Sequence, residues 1–208
     1  MTPTSYSLAL PAGWARVPLR GGTRAALEEK VFRGIERVPA DVPRDQGMAY
    51  RAWVRRRVER MVGEARRAGG LDLYVPVRTR RPLPASFLVA EIAEVAEVAA
   101  GPEAPGEAVV RLAGERRAGA AGEVRHVGDG LGVRWEYVRP RDAEAAAEDD
   151  VPVAASRRVD YVLPVPAGHG RWLAVSHSTA VDGDPAGPYA QALTDLFDAL
   201  MTTFRWAY

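Results

Sequence analysis

The chain has 208 residues, of which 47% are hydrophobic and 26% charged, and its formal net charge is +1. That length buries one good core, and the near-neutral balance excludes a strong field steering the molecule toward nucleic acid or an acidic surface. Cysteine is absent, which excludes disulfides, thiolate nucleophiles and Cys-ligated metals.

The first ten residues have neither a basic n-region nor an apolar h-region, so no secretory signal is expected there. Ser5 to Leu10 sets Tyr6, Leu8 and Leu10 against small residues, the alternation of a strand. Pro11-Ala-Gly-Trp14 then turns the chain and leaves Trp14 to plug a sheet edge. From Thr23 to Val38, Ala26, Leu27, Val31, Ile35 and Val38 recur near helical spacing, with Thr23 as N-cap and Pro39 and Pro43 as stops.

The strongest long helix runs from Gly47 to Ala68. Tyr50, Val54, Val58, Met61, Val62 and Ala65 form its apolar stripe, and Arg51, Arg55, Arg56, Arg60, Arg66 and Arg67 lie mostly off it. Gly69-Gly70 ends it, because glycine takes the left-handed conformation that closes a helix. Leu71 to Val77 and Ser86 to Ile92 read as strands joined by the polar Arg78 to Pro84. Glu91, Glu94 and Glu97 interrupt the apolar run from Phe87 to Ala100, so no bilayer span is expected. Glu94 to Pro105 fits either an extended strand or a helical turn.

Glu107 to Leu112, Glu123 to Val127 and Leu131 to Val138 follow as strands, the last placing Leu131, Val133, Trp135 and Tyr137 on one face. Gly128-Asp-Gly130 punctuates a hairpin between the last two. Pro140 to Asp150 is charged and alanine-rich, a flexible surface insertion. Val159 to Val165 and Gly170 to Thr179 form a last hairpin. Asp184 before Pro185 caps the closing helix, expected over 188–205. Leu193, Leu196, Phe197, Leu200, Met201 and Phe204 line its buried side, and Gln191, Thr194, Asp195, Asp198 and Thr202 its outer side. The whole chain is expected as a single α+β domain, a twisted and mainly antiparallel sheet of about six to eight strands flanked by helices 47–68 and 188–205.

That order of elements, with Leu10-Pro-Ala-Gly-Trp14 at the start and Phe204-Arg-Trp206 at the end, resembles the PsbP-like fold. The fold is shared by the photosystem extrinsic protein PsbP, a yeast Ran-binding release factor and assorted bacterial proteins. The resemblance implies a PsbP-like sandwich that binds other proteins and is not an enzyme. It carries over no binding residue position by position, and the basic helix and the 140–150 segment depart from it.

Catalytic motifs are missing. Arginine accounts for all but one of the 28 basic residues, and the sole lysine, Lys30, follows Glu28-Glu29 inside a helix, so no P-loop is present. Such an arginine bias with abundant Ala, Gly, Pro and Val is what GC-rich bacterial coding produces. Gly128 to Gly132 lies between strands, whereas a dinucleotide fingerprint opens a helix. His126, His169 and His177 form no H-x-x-x-H pair; on strands, His126 and His177 have the option of meeting across a sheet, although a partly exposed strand histidine is the simpler reading. Asp182-Gly-Asp184 lacks the further ligands of a calcium loop. Ser176 and Ser178 point to the opposite strand face from His177, and no G-x-S-x-G elbow exists.

These features lead to a non-catalytic protein-binding or adaptor module of a bacterial cytoplasm, without cofactor or metal, whose partner is another protein rather than nucleic acid. Its binding surface is expected over Trp53, Arg51, Arg55, Arg56 and Arg60, or over the sheet face that bears Trp172. Trp53 reads either as a core-rim residue or as an exposed anchor of the kind interfaces favour, and the arginines either as a solvated helix face or as a grip for an acidic partner. Two other readings stay open: a small-molecule-binding protein or enzyme with a pocket between sheet and helix, and an accessory or chaperone-like component of a secretion or phage-like assembly.

Overall fold

A computed structural model describes residues 1–33, 44–77, 85–92, 105–140, 155–168, 170–180 and 184–208. In chain order they form β1 (Ser5–Ser7), β2 (Trp14–Pro18), α1 (Thr23–Ala26) running into a π-helical turn (Leu27–Phe32), α2 (Arg44–Arg67), β3 (Gly70–Pro76) and β4 (Ala85–Ile92). Then come α3 (Pro105–Ala113), β5 (Glu123–Val127), β6 (Gly130–Arg139), β7 (Ser156–Pro164), β8 (Trp172–Ala180), α4 (Pro188–Met201) and β9 (Arg205–Ala207). The class is α+β, with antiparallel pairing in β1–β9, β2–β3 and the run β5–β6–β7–β8. Contacts group the chain into two compact units, one of Pro11–Leu83 with Leu88–Ala90, the other of Met1–Leu10, Pro84–Phe87 and Glu91–Tyr208.

In the smaller unit, β2 and β3 pair with Trp14 opposite Pro76 and Pro18 opposite Asp72. Val17, Leu19, Leu27, Val31, Phe32, Val62, Ala65 and Leu73 close its core, with Val58 and Met61 packed against it. The apolar stripe of α2 thus faces inward as its spacing requires. Gly69, at φ 75, takes the left-handed turn after α2, and Gly70 must stay bare because a Cβ there would lie 2.5 Å from the Ala65 carbonyl oxygen. Thr23 is not the cap of α1. Gly22 occupies that position, and the Thr23 hydroxyl instead donates to the Pro18 carbonyl at 2.7 Å and accepts from Arg66 Nη2 at 2.7 Å.

In the larger unit, strand alternation sends Val133, Trp135, Val162, Trp172 and Ala174 to one face, where they pack with Ala108, Val109 and Leu112 of α3. The opposite face carries Arg134, Tyr161 and His177, which meet Asp198 and Phe197 of α4. Leu193, Phe197, Leu200 and Phe204 are all buried, as the closing-helix stripe demands.

Several expectations are corrected. Glu107 to Leu112 is helical, since Pro105 opens the segment and Ala108, Val109 and Leu112 share a helix face buried against β6. The last helix stops at Met201, and the chain beyond it turns into β9, whose Trp206 pairs with Tyr6 of β1. Pro188, not Pro185, stands at the start of α4 after Gly187, while the Asp184 carboxylate accepts the Ala186 N–H at 2.8 Å one turn earlier. Thr194 faces inward with no exposed surface. β1 ends at Ser7, and Trp14 opens β2. Residues 141–150 of the 140–150 insertion, and His169, lie outside the described residues.

Candidate functional site

At the β5–β6 end of the larger unit's sheet, four segments enclose an apolar groove of about 450 Å³. Pro105, Gly106 and Val109 bring the first turn of α3; Val127, Asp129, Gly130 and Leu131 the β5–β6 hairpin; Leu163, Pro164 and Pro166 the end of β7; Trp206 and Tyr208 the chain end. Each segment is locally determined. Gly128 opens the two-residue hairpin turn with φ 61, the conformation glycine supplies at the first central position of a type II′ turn. Phe204 anchors the chain end, stacked on Tyr6 at 5.6 Å and edge-on to Trp206 at 5.0 Å. Asp129 is exposed and is the sole carboxylate among the lining side chains.

A second cleft, of about 640 Å³, includes Glu123, Arg134, Glu136, Tyr137, Arg157 and Gln191 in its lining. Its charges are already engaged. Arg134 forms a bidentate pair with Asp198 at 2.9–3.0 Å and donates to Glu136 at 2.6 Å; Arg157 bridges Glu136 and Gln191. Burial alone would weaken the proton's hold on Arg134, but Asp198 and Glu136 more than reverse that and raise its pKa. Burial likewise pushes the Glu136 carboxyl up, and the hydrogen bonds from Arg134 and Arg157 outweigh it, holding the group below the ordinary range. Tyr161, which donates to Asp198 at 2.9 Å, is pushed well above the usual phenol value by burial and then by that carboxylate. On the other face, Tyr137 donates to the buried Asp160 at 2.8 Å and is raised for the same two reasons. Such closed networks fix a fold, because every partner removed strands another charge.

The residues read from the sequence are placed as follows. Trp53 is 41% exposed on α2, with the Arg57 guanidinium 5.9 Å above its ring. Arg56 and Arg60 are exposed on the same helix. Arg55 is paired with Glu28 at the surface and lies 4.1 Å over the Phe32 ring. Arg51 donates back to the Gly47 carbonyl at 3.2 Å. Trp172 is 2% exposed and belongs to the core under α3, so the surface expected around it is withdrawn. His126 is exposed on β5, whereas His177 is buried on β8, with β6 and β7 between them. The two do not meet, and His177 is not the partly exposed histidine expected.

Sequence reading missed the groove residues Asp129, Leu131, Trp206 and Tyr208. A signal existed: Phe204, Trp206 and Tyr208 recur every second residue, the period of a strand. Among the described residues no group of three or more His, Asp or Glu is placed to hold a metal ion, and no helix is long and apolar enough to cross a membrane. No family model, curated protein or solved structure matches the chain.

Proposed function

We propose that the protein is a non-catalytic binding module whose apolar groove takes a segment of another protein. The observation that carries this reading is the lining itself: aromatic, proline and aliphatic groups around about 450 Å³, with one exposed carboxylate, Asp129, on the hairpin. That composition suits one large apolar side chain, aromatic or branched aliphatic, next to a basic residue that pairs with Asp129. Buried aromatic anchors beside a polar rim are how small interfaces concentrate their affinity. The engagement of Arg134, Glu136, Asp198 and Tyr161 with one another supports a structural rather than a catalytic use of the second cleft. The resemblance read from the two ends of the sequence accords with protein binding, and Trp53 with Arg56 and Arg60 offers a further contact for an acidic stretch of a partner.

The test is a random-peptide display selection against the full chain, with enriched peptides titrated by tryptophan fluorescence. Enriched sequences should carry an apolar anchor beside Arg or Lys, and Asp129→Lys and Trp206→Ala should each weaken them at least tenfold. Peptides that bind both variants as well as the wild type, or a co-purified metabolite that fills the groove, would overturn the reading.

A further inference from the structure

β5 is an edge strand. It pairs with β6 on one side, and among the described residues no strand pairs with its other side. Glu123, Val124, Arg125 and His126 are all exposed, Val124 to 41%. An open row of backbone N–H and C=O groups is a template for another strand. The question is which strand the row accepts.

The hairpin turn decides which backbone groups point outward. Because Gly128 and Asp129 alone connect β5 to β6, Val127 and Gly130 flank the turn as a hydrogen-bonded pair. Along an antiparallel ladder such pairs alternate, so Val127, Arg125 and Glu123 spend their backbone groups on Gly130, Gly132 and Arg134. Gly122, Val124 and His126 therefore direct theirs outward.

We propose that the occupant of this edge is a second copy of the chain, paired antiparallel about a two-fold axis with Val124 facing its own counterpart. In that register the outward rows coincide: Val124 meets Val124, and Gly122 meets His126 in both directions, for about six main-chain hydrogen bonds. The same register puts Glu123 opposite Arg125 of the copy, twice over. These are non-hydrogen-bonded positions, where opposite side chains approach most closely. Within one chain Arg125 reaches Glu123 through a single oxygen: both Nε, at 3.0 Å, and Nη2 bond Oε2. Oε1 has no hydrogen bond among the described residues and is left for the copy's guanidinium. Moving the centre of the pairing by two residues, to His126, slides the strands by four and opposes Arg125 to Val127, losing both ion pairs. Centring it on Arg125 still matches outward groups, Val124 with His126, but opposes two like charges and leaves Glu123 opposite Val127. Charge thus selects one arrangement among the registers that the backbone allows, whereas charges placed only to guard an edge would leave self-pairing unfavourable in every register. The pairing is isologous and closes at two copies, since each copy uses its one free β5 edge.

Sedimentation velocity of the full chain across a wide concentration series tests this. The wild type should show a reversible monomer–dimer equilibrium. Arg125→Glu, which opposes carboxylates, and Glu123→Arg, which opposes guanidiniums, should each weaken it by roughly 30-fold or more; both sites are exposed, and an unchanged circular dichroism spectrum confirms folding. A mixture of the two variants should recover dimer, because each then meets its complement. A wild type that stays monomeric at all concentrations, variants that dimerise as the wild type does, or a mixture that fails to recover dimer would each overturn the proposal.

Discussion

Acid should destabilise the larger unit through one residue, His177. It is 2% exposed, lies with its ring 4.6 Å from that of Phe197 at an interplanar angle of 15°, and has Nδ1 3.2 Å from the Ser86 carbonyl oxygen. Its other nitrogen, Nε2, is buried with no hydrogen-bond partner among the described residues. Removal from water depresses the pKa from 6.5 to about 4, against smaller upward pulls from the Ser86 carbonyl and the Asp198 charge. Above pH 6.5 the ring is neutral in both the folded and the unfolded chain, and titration costs nothing. As pH falls from 6.5 toward 4, the unfolded chain binds a proton that the folded chain refuses, so stability declines. At about 1.4 kcal/mol for each pH unit between the two values, the loss is about 2 kcal/mol at pH 5. It levels off near 3 kcal/mol below pH 4, where both states are protonated. Those amounts are a large share of an ordinary domain's stability of about 5–15 kcal/mol. Urea unfolding at a series of pH values, followed by tryptophan fluorescence of the wild type and of His177→Asn, measures it. Asn keeps a donor toward Ser86 but does not titrate, and the difference between the two curves removes the contribution of carboxylates. The wild type should lose about 2 kcal/mol more than the variant between pH 7 and pH 5. Parallel curves across that interval would refute the assignment of a buried neutral imidazole.

Two further outcomes follow from the same unit. Arg134→Met should cost about 3 kcal/mol, since it strips Asp198 of its guanidinium and leaves Glu136 with Arg157 alone; the double variant Arg134→Met/Asp198→Leu should recover part of that loss in a denaturation cycle. Gly128→Ala should lower the melting temperature by several degrees: φ 61 alone costs an alanine about 1–2 kcal/mol, and its Cβ would sit 2.3 Å from the Phe204 carbonyl oxygen. The neighbouring Gly130→Ala, whose nearest atom is 3.9 Å away, should be close to neutral in the same calorimetric scan.

How far the residues revealed the fold depends on whether one period dominated each segment. The stripe of α2 and the alternation of Leu131, Val133, Trp135 and Tyr137 have only one reading, and both take it. Glu107 to Leu112 has two. Val109, Val110 and Leu112 suit a strand locally, but helix wins because Ala108, Val109 and Leu112 fall on one face that β6 can cover. At the chain end the contest goes the other way. Phe204 continues the helical stripe of α4, yet backbone bonds from Thr203 to Leu200 and from Phe204 to Met201 tighten the last turn and free Arg205–Ala207 to pair with β1. No local rule foretells that partner, almost two hundred residues away in sequence. Burial of His177 was equally hidden, because alternation assigns a face to a strand residue without saying whether a helix lies on that face. The site was less legible than the fold for the same reason: the groove joins four segments, each of which looks like ordinary turn or core chemistry by itself.

The hairpin at Gly128 and Asp129 links the two surfaces argued above through one geometric cause. Gly128 is fixed twice, by a backbone conformation closed to most side chains and by the close approach of Phe204. That fixes the turn at two residues, and the turn length sets the phase of the β5–β6 ladder. With the opposite phase, Glu123, Arg125 and Val127 would direct their backbone groups outward. Self-pairing centred on Val124 would then set Glu123 opposite Arg125 at hydrogen-bonded positions, where opposing side chains stand farther apart. With the observed phase the outward row is Gly122, Val124 and His126, and in the register centred on Val124 the charges of opposite sign meet at the closer, non-hydrogen-bonded positions. The same turn lifts Asp129 to the rim of the groove, one residue beyond the tight contact with Phe204, while Trp206 follows that residue by two and lines the groove. A single glycine thus sets both how closely the charges at the sheet edge approach those of a paired copy and the placement of the carboxylate side chain that the groove presents to a ligand.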